Sequence, residues 1–182
     1  MSAWSRPSSH SLRNKIGRVL WQAVWTIFYR PSPTICYGWR RFLLRLFGGE
    51  ISQGVCVHPS TKIWAPWHLQ MGEASCLGHD VDCYCVAPIA IGARATVSQY
   101  SYLCTASHNI NSPDMPLMTG PIVVGDGAWV CADVFIGPGV VLGEGAVAAA
   151  GSVIVHHVEA WAVVGGNPAR FIKMRESRSL EL

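Results

Sequence analysis

The sequence predicts a mainly β protein built as a parallel β-helix, because large apolar residues recur at intervals of six. A helix repeats at about 3.6 residues and a strand at about 2, so this period indicates short strands separated by regular turns. Glycine directly follows several of these anchor residues, as sharp bends in the backbone favour. The anchors are Ile51, Val57, Ile63, Met71, Leu77, Cys83, Ile91, Val97, Leu103, Val124, Val130, Ile136, Leu142, Ala148 and Ile154.

The insertions between the repeats indicate coils with three sides. Grouped in threes, the anchors form five coils, and every step within a coil is six residues. Two extra residues follow Ile63, two follow Cys83, and a long insertion follows Leu103, so every insertion falls between coils. We therefore expect the insertions to project from one edge of a three-sided prism.

Residues 1–50 differ from the repeats and are predicted to form a basic, amphipathic helical extension. They contain eight of the fourteen Lys and Arg residues and only one acid, Glu50. Apolar residues follow helical spacing over 16–28 and again over 39–47, with a break at Pro31-Ser32-Pro33. Two helices are expected, and the second should end at Gly48-Gly49, where the repeats begin.

The role of these helices stays open between two interpretations. Their apolar faces can cap the first coil or pack on a neighbouring subunit, since the terminal strands of a β-helix are otherwise unpaired edges. Basic, Trp-rich amphipathic helices also bind the interface of a bilayer as peripheral anchors. Neither segment can span a membrane, because the longest charge-free run, 19–29, is shorter than the roughly 20 residues required.

Composition points to one β-helix domain over 51–182, preceded by the helical extension and closed by a C-terminal cap. Seven cysteines, an odd number without a CxxC pair, suggest reduced thiols and a cytoplasmic protein. No metal site is expected. Nucleic-acid binding has only the basic N-terminus in its favour and lacks a motif.

The long insertion, residues 104–122, is the candidate catalytic loop. A loop of this length inside a regular repeat is usually functional. It contains one histidine, His108, the side chain best suited to accept a proton near neutral pH. From the residues alone, His108 can equally be an ordinary surface histidine.

Four segments carry a resemblance to a known family: WRRFLLRLFGG (39–49), SQYSYLCTASHN (98–109), PIVVGDGAWVCADVFIGPGVVLGEGAV (121–147) and GGNPARFIK (165–173). The chain resembles the hexapeptide-repeat O-acetyltransferases, especially the branch of the colanic acid biosynthesis acetyltransferases. The resemblance implies a left-handed β-helix. It also implies a homotrimer, with active sites between subunits, that acetylates a sugar hydroxyl of an exopolysaccharide or another surface-glycan precursor.

The same resemblance implies roles for individual residues. His108 would act as general base in a direct transfer from acetyl-CoA, with no covalent enzyme intermediate and with Cys104 as a mere turn residue. Acetyl-CoA, a co-substrate, would lie in a groove between subunits. Its expected contacts are Trp129, Ala132, Ala150, Arg170 and Lys173.

Other positions are predicted to face the acceptor or depart from the family pattern. Asp82, Tyr84 and Cys85, one coil before the catalytic loop, and Asn109 beside His108 are the candidate acceptor-binding residues. Many relatives carry a Thr-Lys pair where this chain has Val155-His156, which puts one contact to the nucleotide end of the co-substrate in doubt.

Two alternatives come from other classes of protein. A trimeric, non-catalytic scaffold would share the repeats but would need neither the TASHN loop nor the GNPAR tail. A zinc carbonic-anhydrase-like protein would need converging histidines. The chain lacks the close histidine pair, with a third histidine one or two coils earlier, that such a site uses.

Overall fold

Short parallel strands stack into three sheets that form the walls of a triangular prism. The computed structural model describes residues 11–176. The strands in chain order are β1 (Glu50–Ile51), β2 (Cys56–Val57), β3 (Lys62–Ile63), β4 (Leu69–Met71), β5 (Cys76–Leu77), β6 (Asp82–Tyr84), β7 (Ile89–Ile91), β8 (Thr96–Val97), β9 (Tyr102–Cys104), β10 (Ala106–His108), β11 (Leu117–Thr119), β12 (Ile122–Val124), β13 (Trp129–Val130), β14 (Phe135–Ile136), β15 (Val141–Leu142), β16 (Val147–Ala148), β17 (Val153–Ile154), β18 (Ala162–Gly166) and β19 (Ala169–Met174).

Each wall contains one strand from every coil. The first sheet has the order β1-β4-β7-β12-β15, the second β2-β5-β8-β13-β16-β18-β19, and the third β3-β6-β9-β14-β17. Each anchor of the first four coils pairs with the anchor one coil further on, as Val57 does with Leu77. All fifteen anchors are buried, and none is more than 6% exposed. The prediction of a left-handed parallel β-helix with about five coils is confirmed.

A partial sixth coil extends the prism beyond the predicted repeats. Val158 forms a bridge with Leu142 on the first wall, and Val164 in β18 pairs with Ala148 on the second. Val158 and Val164 are both buried and six residues apart. The sequence pattern missed them because the step from the last anchor, Ile154, to Val158 is four residues and not six.

The glycines after the anchors have a different physical cause from the one expected. Gly125 and Gly143 do not adopt positive φ. A Cβ at Gly125 would lie 2.7 Å from the backbone nitrogen of Glu144 in the next coil. Close stacking of successive coils, rather than a sharp bend, therefore requires glycine there. The left-handed conformation falls two residues later, at Gly127 and Gly145.

All the insertions emerge from the edge between the third and the first wall, as the spacing predicts. The insertion after β3 forms a 3₁₀ turn, Pro66–His68. The long insertion after β9 forms an antiparallel hairpin of β10 and β11. The regular walls therefore leave one edge free to carry the candidate catalytic loop.

Two helices precede the prism. Helix α1 spans Leu12–Val24 and continues as a π-helical turn over Trp25–Tyr29; α2 spans Tyr37–Leu46. Ser11 accepts a hydrogen bond from the backbone of Asn14 and so caps the start of α1. The break between the helices and the end of the second agree with the predicted positions.

Side chains of these helices donate hydrogen bonds to backbone carbonyls at the open end of the prism. Some carbonyls of the first coil, such as that of Gln53, accept a bond from the second coil, whereas others point away from it and have no strand to bind. Arginine and tryptophan side chains, which only donate, are suited to bind them. The bonds are Trp21 to Ile63 (2.6 Å), Trp25 to Thr61 (2.9 Å), Arg40 to Val57 (2.7 Å), Arg41 to Val55 (2.8 Å) and Arg45 to Ile51 (2.7 Å).

The helices also share the core of the prism. Trp21, Tyr29 and Leu44 are fully or almost fully buried and belong to the same apolar cluster as the anchors. The helical segment therefore takes the place of a coil at this end.

Between residues 11 and 176, no helix combines the length and the apolar character needed to cross a bilayer.

Arg40 is the donor on which the cap depends most. It is completely buried, and its guanidinium also donates to Ser32 and to the carbonyls of Pro33 and Thr34. Replacing Arg40 by Met leaves buried carbonyls without donors. We expect the free energy of unfolding to fall by about 3 kcal/mol.

Urea unfolding followed by circular dichroism measures this loss. Arg13→Met is the matched control, because Arg13 is exposed on α1 and should change stability by less than about 0.5 kcal/mol. Equal stability of the two variants would contradict the capping role of Arg40.

Candidate functional site

The candidate catalytic loop is a hairpin anchored at its base. Strands β10 and β11 pair in antiparallel register, with His108 opposite Leu117. Thr105, at the foot of β10, accepts a bond from the backbone of Gly120, and its hydroxyl binds the carbonyl of Tyr84 and the amide of Ala87. The hairpin is therefore tied to the preceding coil.

His108 is exposed on this hairpin, and one of its ring nitrogens is already bound. Its Nδ1 lies 2.7 Å from the carbonyl oxygen of Met115. A carbonyl only accepts, so Nδ1 carries the proton and the neutral ring keeps its lone pair on Nε2. Met115 itself has φ of 39°, which is uncommon for a residue other than glycine. The geometry fits a proton acceptor directed outward.

Asn109 contributes to the order of the loop. Its side-chain oxygen accepts a hydrogen bond of 3.0 Å from the backbone N–H of Asn111, and its backbone N–H donates to the carbonyl of Pro116. The side-chain nitrogen is then the atom that Asn109 can offer to an acceptor hydroxyl.

Cys104 lies in β9 and not at a turn, contrary to the expectation. Its backbone pairs with Tyr84, and its thiol donates to the carbonyl of Ala106. All seven cysteines are free.

Two of the three remaining acceptor candidates lie together in a cleft. Asp82 and Tyr84 project from β6 into a cleft of about 370 Å³ between the third wall and α1. Burial raises the pKa of the Asp82 carboxyl, and the charge of Lys62 partly offsets this effect. The other residues that line the cleft are Gln22, Trp25, Arg30, Lys62, Ile63 and Trp64.

Cys85 does not reach this cleft. It is fully buried, and its thiol donates to the carbonyl of Ala65 at 3.2 Å. Burial raises its pKa to about 11. Cys85 is therefore a core residue. It follows Tyr84, the last residue of β6, and its side chain points inward, unlike those of Asp82 and Tyr84.

A row of aromatic rings on the third wall escaped the sequence analysis. Trp64 and Tyr84 lie 5.7 Å apart, Tyr84 and Tyr102 6.3 Å, and Tyr102 and Phe135 5.8 Å between ring centroids. Arg18 of α1 lies over Trp64 at 4.3 Å. The sequence does indicate this row, because an aromatic residue stands next to the third-wall anchor in four successive coils.

The predicted co-substrate contacts on the coils occupy the second wall and its edge. Trp129 is 47% exposed, and its indole donates to the hydroxyl of Ser98 at 2.9 Å. Ala132 and Ala150 stand one coil apart, as predicted, since the amide of Gly151 donates to the carbonyl of Ala132.

The two co-substrate contacts predicted near the C-terminus, Arg170 and Lys173, lie on an added strand. Strand β19 pairs antiparallel with β18, and the peptide between Asn167 and Pro168 is cis. Arg170 is exposed and borders a cleft of about 360 Å³ together with Val155, His156 and Phe171. Lys173 is also exposed but is not among the residues that line this cleft.

Within residues 11–176, no three histidine, cysteine or acidic side chains lie close enough together to hold a metal ion.

No family model matches the chain. It is 42% identical over 175 residues to "Putative colanic acid biosynthesis acetyltransferase WcaF" of Escherichia coli, with 96% of each chain covered. Its fold matches a hexapeptide-repeat acetyltransferase of Vibrio cholerae, solved with acetyl coenzyme A, at a TM-score of 0.83 and 26% identity, covering 94% of each chain. A maltose O-acetyltransferase of Clostridium difficile has a TM-score of 0.81 at 24% identity, covering 92% of this chain and 90% of its own.

These similarities define an enzyme of the β-helix acyltransferase class. The chain belongs to the hexapeptide-repeat O-acetyltransferase family, in the branch of the colanic acid biosynthesis acetyltransferases.

The hydrogen bond from His108 to Met115 predicts a single neutral tautomer. At a pH where the imidazole is neutral, we expect the proton on Nδ1 and the lone pair on Nε2. Nitrogen NMR of protein labelled at histidine, with His108→Gln to assign the signal, tests this. Protonation of the neutral ring at Nε2 would contradict the geometry.

Proposed function

We propose that the protein transfers an acetyl group from acetyl-CoA to a sugar hydroxyl of an exopolysaccharide or another surface-glycan precursor, with His108 as general base. The observation that carries this proposal is the bond from Nδ1 of His108 to the Met115 carbonyl. It leaves Nε2 unprotonated on an exposed hairpin, as a base requires.

In this mechanism, His108 removes the proton of the sugar hydroxyl while that oxygen attacks the thioester carbonyl. The O–H and C–S bonds break and a C–O bond forms. The proton then passes from His108 to the departing thiolate. The Met115 carbonyl stabilises the imidazolium, since Nδ1 stays hydrogen-bonded to it throughout. The thiol of Cys104 is engaged by Ala106, which supports direct transfer without an enzyme nucleophile.

The residues present fit acetyl-CoA, which supplies the activated acetyl group. Ala132 and Ala150 are small, so an extended arm can approach the main chain along their edge. Trp129 offers an exposed ring beside it. Arg170 and Lys173 supply cations for phosphate groups, and Arg170 lies in the cleft that His156 also lines.

A trimer with its active sites between subunits is the assembly we propose. Val123 and Val141 form an adjacent pair of exposed apolar side chains on the outer face of the first wall. Such a pair suits a contact between prisms. The relatives named above are acetyltransferases, and one of them is named for maltose, which supports a sugar acceptor.

The acceptor is expected near Asp82, Tyr84 and Asn109. The name of the relative from Escherichia coli supports a role in polysaccharide biosynthesis. Seven free cysteines are consistent with a cytoplasmic enzyme, which we place at the inner face of the membrane where glycan precursors are built.

Replacing His108 by Ala should lower kcat/KM by about 10²–10⁴-fold, because the general base is lost. Release of free CoA from acetyl-CoA, measured with a panel of sugars and glycan fragments, gives the rate. His79→Ala is the control, since His79 is exposed but outside the hairpin. Undiminished turnover in His108→Ala would refute the mechanism.

Replacing Arg170 by Ala should raise KM for acetyl-CoA about tenfold and leave kcat nearly unchanged, because the lost contact holds the substrate and the transition state alike. Steady-state kinetics with varied acetyl-CoA measures both constants. Arg94→Ala, which removes a cation from a turn of the coils, should leave them unchanged. A loss confined to kcat would contradict the assignment.

A further inference from the structure

The outer face of the N-terminal cap carries a large apolar surface that capping does not use. Ten large side chains, each at least 43% exposed, form this outer patch. They are Leu12, Ile16, Val19, Leu20, Ile27, Phe28, Ile35, Trp39, Phe42 and Leu46. A patch of this extent marks a site of interaction.

Both helices are apolar on two opposite sides. On α1, the exposed residues Leu12, Ile16 and Val19 follow helical spacing, whereas Trp21 and Trp25 are buried against the coils. On α2, Trp39, Phe42 and Leu46 are exposed, whereas Leu44 is buried on the opposite side. The buried side accounts for the cap and leaves the exposed side unexplained.

Trp39 joins the two helices into one surface. Its indole donates to the carbonyl of Phe28 at 2.9 Å, and its ring stacks on Phe42 with centroids 5.8 Å apart. The exposed stripes of α1 and α2 are therefore continuous and held in a fixed relation.

The outer patch points along the axis of the prism. The cap donors bind carbonyls that project out of the first coil, so the opposite side of the helices faces away from the coils. Prisms that associate side by side through their walls leave this end surface uncovered.

The charge around the outer patch favours an anionic partner. Arg40, Arg41 and Arg45 are engaged by the first coil, but Arg13, Lys15 and Arg30 are exposed. Residues 1–49 contain no acid. A second copy of this surface would bring like charges together, whereas anionic lipid headgroups complement them.

We propose that the outer patch docks on the surface of an anionic phospholipid bilayer. The apolar side chains enter the headgroup region, and the cations contact phosphates at its edge. Docking brings the cleft lined by Trp25, Arg30 and Asp82 next to the bilayer, a position suited to a membrane-anchored glycan. The docking itself does not depend on the role of His108.

Vesicle flotation of the full-length protein tests the proposal. Point variants are needed, because removal of the helices would expose the first coil. Vesicles of phosphatidylcholine alone are compared with vesicles that contain about one third phosphatidylglycerol. The variants are Ile16→Gln/Val19→Gln/Leu20→Gln in the patch, Arg13→Glu/Lys15→Glu beside it, and Tyr100→Gln at an exposed turn of the coils as control.

We expect wild type and Tyr100→Gln to float with the anionic vesicles, less so at high salt. Each multiple variant should bind at least about tenfold more weakly. Wild type that remains unbound, or a triple Gln variant that binds as wild type does, would overturn the proposal. Light scattering is the second arm: a lower oligomer mass for the triple Gln variant would assign the patch to a subunit contact instead.

Discussion

The satisfaction of main-chain carbonyls at the first coil is the constraint on which the rest of the structure depends. Neighbouring coils bond in both directions, since Cys56 donates to Ser75 and Ala74 donates to Gln53, but no coil precedes the first one, so its outward carbonyls have no strand to bind. Trp21, Trp25, Arg40, Arg41 and Arg45 bind those of the first coil. Capping of the first coil therefore accounts for much of the basic, Trp-rich composition of the N-terminus. Only the cations that do not cap the coil are available to bind a partner.

The stacked coils in turn position the chemistry. Because the walls are regular and closely stacked, an insertion can leave only at an edge, and the hairpin with His108 leaves at the same edge as the shorter insertions. Thr105 fixes the foot of that hairpin to the neighbouring coil, and Met115 fixes the ring at its tip. The coils therefore determine where His108 lies, and the loop determines which of its ring nitrogens carries the proton.

The periodic part of the molecule was readable from the sequence, because each buried anchor recurs at a constant interval. The fifteen anchors and the insertion edge followed from that interval alone. The partner of His108 was not readable, since a backbone carbonyl such as that of Met115 has no signature in the sequence. The burial of Cys85 could not be predicted either, because the six-residue period is interrupted after Cys83. For the first N-terminal helix, spacing identified the apolar face that is exposed, with Ile16 and Val19, but not the face of Trp21 and Trp25 that the coils cover.

The cap has a consequence for how molecules behave in crowded solution. An open β-helix end is a ready template for the end of another molecule, and end-to-end addition would produce fibres. Here the carbonyls that such a fibre needs are already bound by side chains from the same chain. Growth by stacking is blocked at the first coil, so the repeat can be long and flat-walled without becoming a polymer.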